Sequence, residues 1–325
     1  MLATVYSGAG SNHGNGGPTR ESDRATFSRP RSAQDTLMRI AVIGASGTIG
    51  RPLVEALSQT HEVVRVARRP PRDNRENWIA ADATDAVAIS SALEGIDVVY
   101  HLVHSLGSAD FEERDRAAAT AVAESAATAG ATQVVYLGGL GEGASELSPH
   151  LRSRAETADI LAGGAVPLTT LRAAMIVGPG SVAFETILAL VERLPVMVCP
   201  RWVSVETQPV ALADVLTALA GVCGEPAAFG QTFDLGGPEV MTYRTMLERT
   251  ARLRGRHPIL IEVPFLTPRL SSLWLHLVTP ANVAVARPLV EGLRIPTVAH
   301  DDRIWELVKT RRTTFEESIR AALPD

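Results

Sequence analysis

A strand, a glycine turn and a helix stand back to back between residues 39 and 57, and few folds accept that order at this spacing. Arg39-Ile-Ala-Val-Ile43 is a continuously apolar, β-branched run closed by glycine, as expected of a parallel strand covered on both faces. Gly44-Ala-Ser-Gly47-Thr-Ile-Gly50 follows with G-x-x-G-x-x-G spacing, while Ile49, Leu53, Val54 and Leu57 recur at helical intervals. His61 to Ala67 then returns to strand character, which completes a βαβ unit of about thirty residues.

The alternation continues. Strands are expected over 78–81, 97–103, 133–137 and 168–172, and helices over 86–93, 110–129 and 151–162, with a Gly178-Pro179-Gly180 turn after the sixth strand. The fold class this implies is α/β: a Rossmann-type, doubly wound parallel sheet with a smaller C-terminal lobe. Prolines from Pro195 to Pro296 break the later chain into short elements. The expected organisation is a leader over 1–37, a dinucleotide-binding domain over 38–200 and a substrate or lid lobe over 201–325. The leader is rich in Gly, Ser, Asn, Arg and Pro and is expected to be disordered, with Met38 a candidate start.

Bulk properties narrow the function. A net charge of −5 leaves no extended basic face for phosphodiester backbones, so nucleic acid is a poor partner. Cys199 and Cys223 are too few for a disulfide framework or a four-thiolate zinc site, and a cytoplasmic, reducing setting fits. The most apolar later stretch, Leu270 to Val285, is interrupted by His276, Pro280 and Asn282 and is too short to span a membrane; it reads as a buried or lid helix, with a helix lying on a membrane surface the alternative.

The glycines carry the chemistry. The first permits a tight turn, the second lets backbone approach a pyrophosphate, and the third lets helix pack on strand. Gly44, Ser46, Gly47, Thr48, Ile49 and Gly50 are therefore expected to cup the phosphates of a nicotinamide dinucleotide at a helix N-terminus. Where an acidic residue would accept from a ribose 2′-hydroxyl, the second strand is followed by Arg68 and Arg69. Guanidinium groups suit a 2′-phosphate, so NADP is expected over NAD; two solvated loop arginines are the alternative. Asp82, closing the third strand, is placed to accept from an adenine amino group. Strand ends face the crevice in such sheets, so His101, Leu102 and Val103 are expected against the cofactor, and His104 and Ser105 in the substrate pocket. Arg172 and Ala173 are expected to approach the same end from the sixth strand. Arg201, Trp202 and Gln208 are read as a roof over that pocket, with core packing an equal alternative for Trp202. No third ligand accompanies His101 and His104, and no metal site is expected. Glu112 and Arg116 are expected to pair at i, i+4 on a solvated helix start.

With Gly44-x-x-Gly47-x-x-Gly50, Asp82, Tyr100-His101-Leu102-Val103 and Gly178-Pro179-Gly180 in place, the chain resembles the short-chain dehydrogenase/reductase superfamily over residues 38 to about 220. The resemblance is to its atypical, extended branch of epimerase-like and NmrA-like proteins, including a bacterial NAD(P)H-binding subgroup. It implies a small-molecule substrate and permits a homodimer or a protein partner. It also implies a tyrosine four residues before a lysine, with a serine upstream; here those places hold His150, Arg154 and Gly139. Histidine can exchange a proton near neutral pH and Arg154 would place a fixed charge beside it, whereas His150 bonding the cofactor or capping its helix is the alternative. Two functions stay open: an NADP-dependent oxidoreductase or epimerase-like enzyme acting on a small carbonyl or alcohol, and a non-catalytic NADP(H)-binding redox sensor or accessory protein.

Overall fold

A computed structural model of the protein describes residues 37–71, 77–105, 107–141, 147–263 and 293–323. Up to residue 173 the chain alternates as β1 Arg39–Ile43, α1 Gly50–Leu57, β2 Glu62–Ala67, β3 Trp78–Ala80, α2 Ala86–Ala92, β4 Val98–His101, α3 Phe111–Ala129, β5 Gln133–Gly139, α4 Pro149–Ala162 and β6 Leu168–Ala173. With the strand Thr232–Leu235 on its edge, the sheet runs (Thr232–Leu235)–β6–β5–β4–β1–β2–β3, every neighbouring pair parallel.

Covering both faces explains the unbroken apolar strands. Ile40 and Val42 point into a core shared with Leu53, Val54 and Leu57 of α1, while Ala41 and Ile43 point into a second core holding Ile89 of α2 and Val122 of α3. β1 pairs with β2 on one side and β4 on the other. The connections leave in opposite directions there, which opens a crevice at the carboxyl ends of β1 and β4.

Several boundaries shift from expectation. The fourth strand stops at His101, because after Leu102 N–H donates to Ile43 O at 2.9 Å the chain leaves the sheet. α4 begins at Pro149, two residues early, since Ser148 caps it by accepting from Leu151 N and proline fits the first turn. The expected Glu112–Arg116 pair is replaced by bridges between helices. Arg116 Nε donates to Glu156 at 2.7 Å, and Glu112 lies 3.7 Å from Arg152.

The lobe boundary expected at 200/201 does not divide the core. The helix Leu212–Gly221 and the strand Thr232–Leu235 return to the Rossmann layer, where Tyr100 Oη donates to Leu219 O and Gln133 Nε2 donates to Val222 O, both at buried positions. Those bonds satisfy polar groups that would otherwise be orphaned inside the core, so the later segment completes the sheet's cover. A separate core joins Phe184, Met197, Met246, Leu247 and Ile319, from helices Val182–Arg193, Tyr243–Leu253 and Phe315–Ala322 and strand Val196–Pro200. The leader over 1–36 and the stretch Leu270–Val285 lie outside the described residues. Among the described residues no helix is long and apolar enough to cross a membrane.

Candidate functional site

The turn after β1 is built from backbone. Gly44 and Ala45 N–H both donate to Val66 O, at 2.9 and 3.2 Å, which turns the chain sharply toward α1. Gly44 sits at φ +96°, a conformation that disfavours any side chain. At Gly50 a Cβ would stand 2.2 Å from Gly44 O, so helix and turn approach as closely as they do only because the residue is glycine. No side chain caps α1. Arg51 N–H already donates to Gly47 O at 3.1 Å and Pro52 has no N–H, so the Gly50 N–H and the positive end of the helix dipole are what this end offers an anion. Thr48 Oγ1 donates to Gly180 O at 3.0 Å and so ties this turn to the Gly178–Gly180 turn after β6.

Two hollows of about 420 Å³ each meet along this turn, sharing Gly44 and His104 in their walls. The first is bounded by Ser46, Arg68, Asp82, Thr84, Ser105 and Arg114. Arg69 lies outside both, so only one of the two arginines expected there faces the crevice. Asp82 Oδ1 accepts from Thr84 N and Oγ1, and Arg114 Nη2 approaches Asp82 Oδ2 at 3.1 Å. The Thr84 N–H foremost, with help from Arg114, holds the Asp82 carboxyl below its ordinary pKa. Arg114 was hidden in the sequence because it belongs to the charged run Phe111–Arg116, which reads as a solvated helix start.

The second hollow is lined by the phosphate turn, Leu102, Gly139, His150, Arg154 and Ala173, among others. Arg154 donates to Leu137 O and lies over the Tyr136 ring at 5.1 Å. Burial first, then the charge of Arg154, lowers the pKa of His150 to about 3. His104 is lowered to about 4 by the same two causes, although the residue is solvent-exposed, which weakens both. Both rings are therefore neutral at pH 7. Ser148 already caps α4, so the capping alternative for His150 does not hold.

Asp115 went unnoticed in the sequence, yet it is buried and accepts from Ser105 N at 2.7 Å and from Ser153 Oγ at 3.0 Å. It pins the β4–α3 loop, which carries His104 and Ser105, to α3 and α4. An acid in an exposed-looking run gives no sequence signal of that role.

Other expected site residues lie elsewhere. His101 is fully buried against Tyr136, ring centroids 5.9 Å apart, and lines neither hollow, while Leu102 and Val103 after it do. Strand alternation turns His101 toward the α3 face and away from the crevice. Burial and Arg154 lower it to about 3. Arg172 points to the opposite side of β6, where it pairs with fully buried Asp234 at 2.6 Å; only Ala173 faces the crevice. Among the described residues Arg201, Trp202 and Gln208 line neither hollow. Trp202 packs edge-on against Tyr243, and Gln208 donates to Gly237 O while accepting from Ala299 N. Arg201, beside Trp202 in a short 3-10 turn, is exposed. Gln208 is a buried strut, for its amide satisfies backbone on two separate segments.

The NAD(P)H-binding family matches residues 44–178, the span from the first glycine of the turn to the turn after β6. The match makes residues 44–178 an NAD(P)H-binding domain, on a fold shared with solved epimerase and reductase structures. Over 76 residues it is 50% identical to an uncharacterised protein of Mycobacterium tuberculosis, a match covering 22% of this chain and 9% of that relative. The chain thus spans about a tenth of the first curated relatives it matches. It is 28% identical over 248 residues to the ceramide reductase of Caulobacter vibrioides, covering 71% of this chain and 75% of that one. Among solved structures, the triphenylmethane reductase of Citrobacter sp. complexed with NADP(H) superposes with a TM-score of 0.68 at 17% identity, over 88% of this chain and 100% of that one. The fold is shared with that protein.

The residues present fit a dinucleotide. An uncapped helix start, a glycine turn that a Cβ would fill, and two hollows joined at that turn supply the anion site and a place for each end.

Proposed function

We propose that the protein is an NADP-dependent oxidoreductase that reduces a small carbonyl, with His150 and Arg154 at the reacting end of the crevice and Arg68 at the other. The observation that carries this reading is the shared wall of the two hollows: one crevice runs from Arg68, past the phosphate turn, to His150 and Arg154. Bound NADPH supplies the hydride. The chain's part is to bind, orient and polarise. A neutral imidazole still carries one N–H, and the His150 N–H can point at a substrate oxygen as a hydrogen-bond donor without giving up its proton. Arg154, anchored on Leu137 O, adds a fixed positive charge toward an oxygen that gains negative charge. The proton that completes the alcohol comes from water, since a histidine lowered to about 3 stores none at pH 7. Both cysteines are free and buried, in keeping with a reducing cytosol.

That same lowered pKa favours a second reading, in which the dinucleotide is bound and not turned over and the protein serves as a redox sensor or accessory subunit. Incubating pure protein with NADPH and a panel of aldehydes and ketones, while following nicotinamide absorbance, separates the two. Steady oxidation that His150→Phe slows about tenfold or more supports the enzyme. Tight binding with no oxidation on any member of the panel supports the sensor.

A further inference from the structure

The charge pattern around the first hollow goes further than Arg68. Among the described residues its wall holds three ionised groups, Arg68, Arg114 and Asp82, and no other acid. A carboxylate there repels an additional phosphate group and favours a bare ribose hydroxyl. Asp82 is nevertheless committed. Its Oδ1 accepts from Thr84 N at 3.1 Å and Thr84 Oγ1 at 2.9 Å, and Arg114 Nη2 lies 3.4 Å from Oδ1 and 3.1 Å from Oδ2. Arg114 stands in the first turn of α3 and Arg68 directly after β2, both lining the hollow, and no described acid pairs with Arg68.

We infer that Arg114 is a positioning residue for cofactor choice: by cancelling Asp82 it leaves Arg68 as the net charge of the hollow, and so makes this end select a nucleotide bearing a 2′-phosphate. The inference rests on the reading of the crevice as an NADP site. Neither arginine suffices alone. Without Arg114, the Asp82 carboxylate offsets Arg68 and the hollow carries no net charge. The pair is partly exposed, 29% and 35% at its two side chains, so its contribution to folding is small and the variant keeps its fold.

The test is a pair of titrations, NADPH and NADH, each followed by nucleotide fluorescence, on wild type, Arg114→Met, Asp82→Asn/Arg114→Met and Arg68→Ala. Arg114→Met is expected to weaken NADPH about tenfold and NADH less than about threefold, a charge interaction read through a partly aqueous medium. Asp82→Asn/Arg114→Met is expected to restore the wild-type preference to within about threefold, because the repelling carboxylate is gone. A merely structural role for Arg114 would weaken both nucleotides alike and would not be rescued by Asp82→Asn; either result overturns the inference. If wild type binds NADPH preferentially and Arg68→Ala removes that preference while Arg114→Met leaves it intact, the site reading stands and the role of Arg114 falls. If wild type prefers NADH or binds neither nucleotide, both fall together.

Discussion

Gly50→Ala tests the physical basis of the crevice directly. In the native turn the added methyl would sit 2.2 Å from Gly44 O, 2.9 Å from Ala45 Cα and 2.9 Å from Gly44 C, all backbone atoms. Ordinary contact to those atoms lies near 3.4 Å or beyond, so α1 and the turn must separate by roughly an ångström. Overpacking of this kind costs on the order of 1–3 kcal/mol. The displacement falls on the turn and helix end proposed to hold the phosphates, so much of that cost is expected in binding. A loss of about 2 kcal/mol raises the NADPH dissociation constant roughly 30-fold. Fluorescence titration measures it, and thermal unfolding of the free protein gives the part borne by the fold. Gly130→Ala is the control. Gly130 also has a positive φ, +72°, but nothing lies within 4 Å of its Cβ position and it is far along the chain at the end of α3. That variant is expected to lose about 1 kcal/mol of stability through backbone strain and to bind NADPH as wild type does. If Gly50→Ala binds NADPH with unchanged affinity, the close-approach argument for the turn is wrong.

Three further outcomes follow from the same geometry. His101 is lowered to about 3 by burial, so it stays neutral in the fold while the unfolded chain takes a proton below about 6.5. Its stabilising contribution is complete above that value and shrinks as the pH falls toward 3; urea unfolding at pH 7 and pH 5 should show wild type losing about 2 kcal/mol more than His101→Phe, and equal losses would refute it. Asp115→Ala removes the acceptor for Ser105 N and Ser153 Oγ at a buried position and should cost about 1–3 kcal/mol by urea unfolding, with NADPH affinity reduced as the β4–α3 loop loosens. An unchanged midpoint would rule out that anchoring role. Asp234→Ala leaves Arg172 without its partner and His300 N without its acceptor, and should destabilise by roughly 3 kcal/mol while leaving the NADPH dissociation constant unaltered, since neither group lines the crevice. A change in affinity larger than threefold would show that the β6 edge communicates with the site.

Local pattern accounts for most of the sheet. The periods of apolar residues place β1 to β6 and α1 to α4 within a few residues, because strands buried on both faces and helices buried on one impose different spacings on the same chain. The phosphate turn was equally legible: glycine is required wherever backbone meets backbone, as at Gly44 and Gly50, and that requirement is written one residue at a time. What neighbours across the fold decide was not. His101 and His104 look alike in sequence, yet the two-residue period of the strand buries the first while the loop after it delivers the second to the crevice. Arg172 and Arg114 are both arginines near acids, and only the packing of β6 against the strand Thr232–Leu235 sends one to the sheet edge, while α3 brings the other to Asp82. Gln208 became a strut because two backbone segments far apart in sequence needed its amide. Sequence alone determined the glycine turn after β1 and the doubly wound sheet, since both depend on short-range sterics and periodicity. Tertiary structure decided which charged groups meet, since that depends on contacts between residues far apart in the chain, 32 positions for Asp82 and Arg114 and 62 for Arg172 and Asp234.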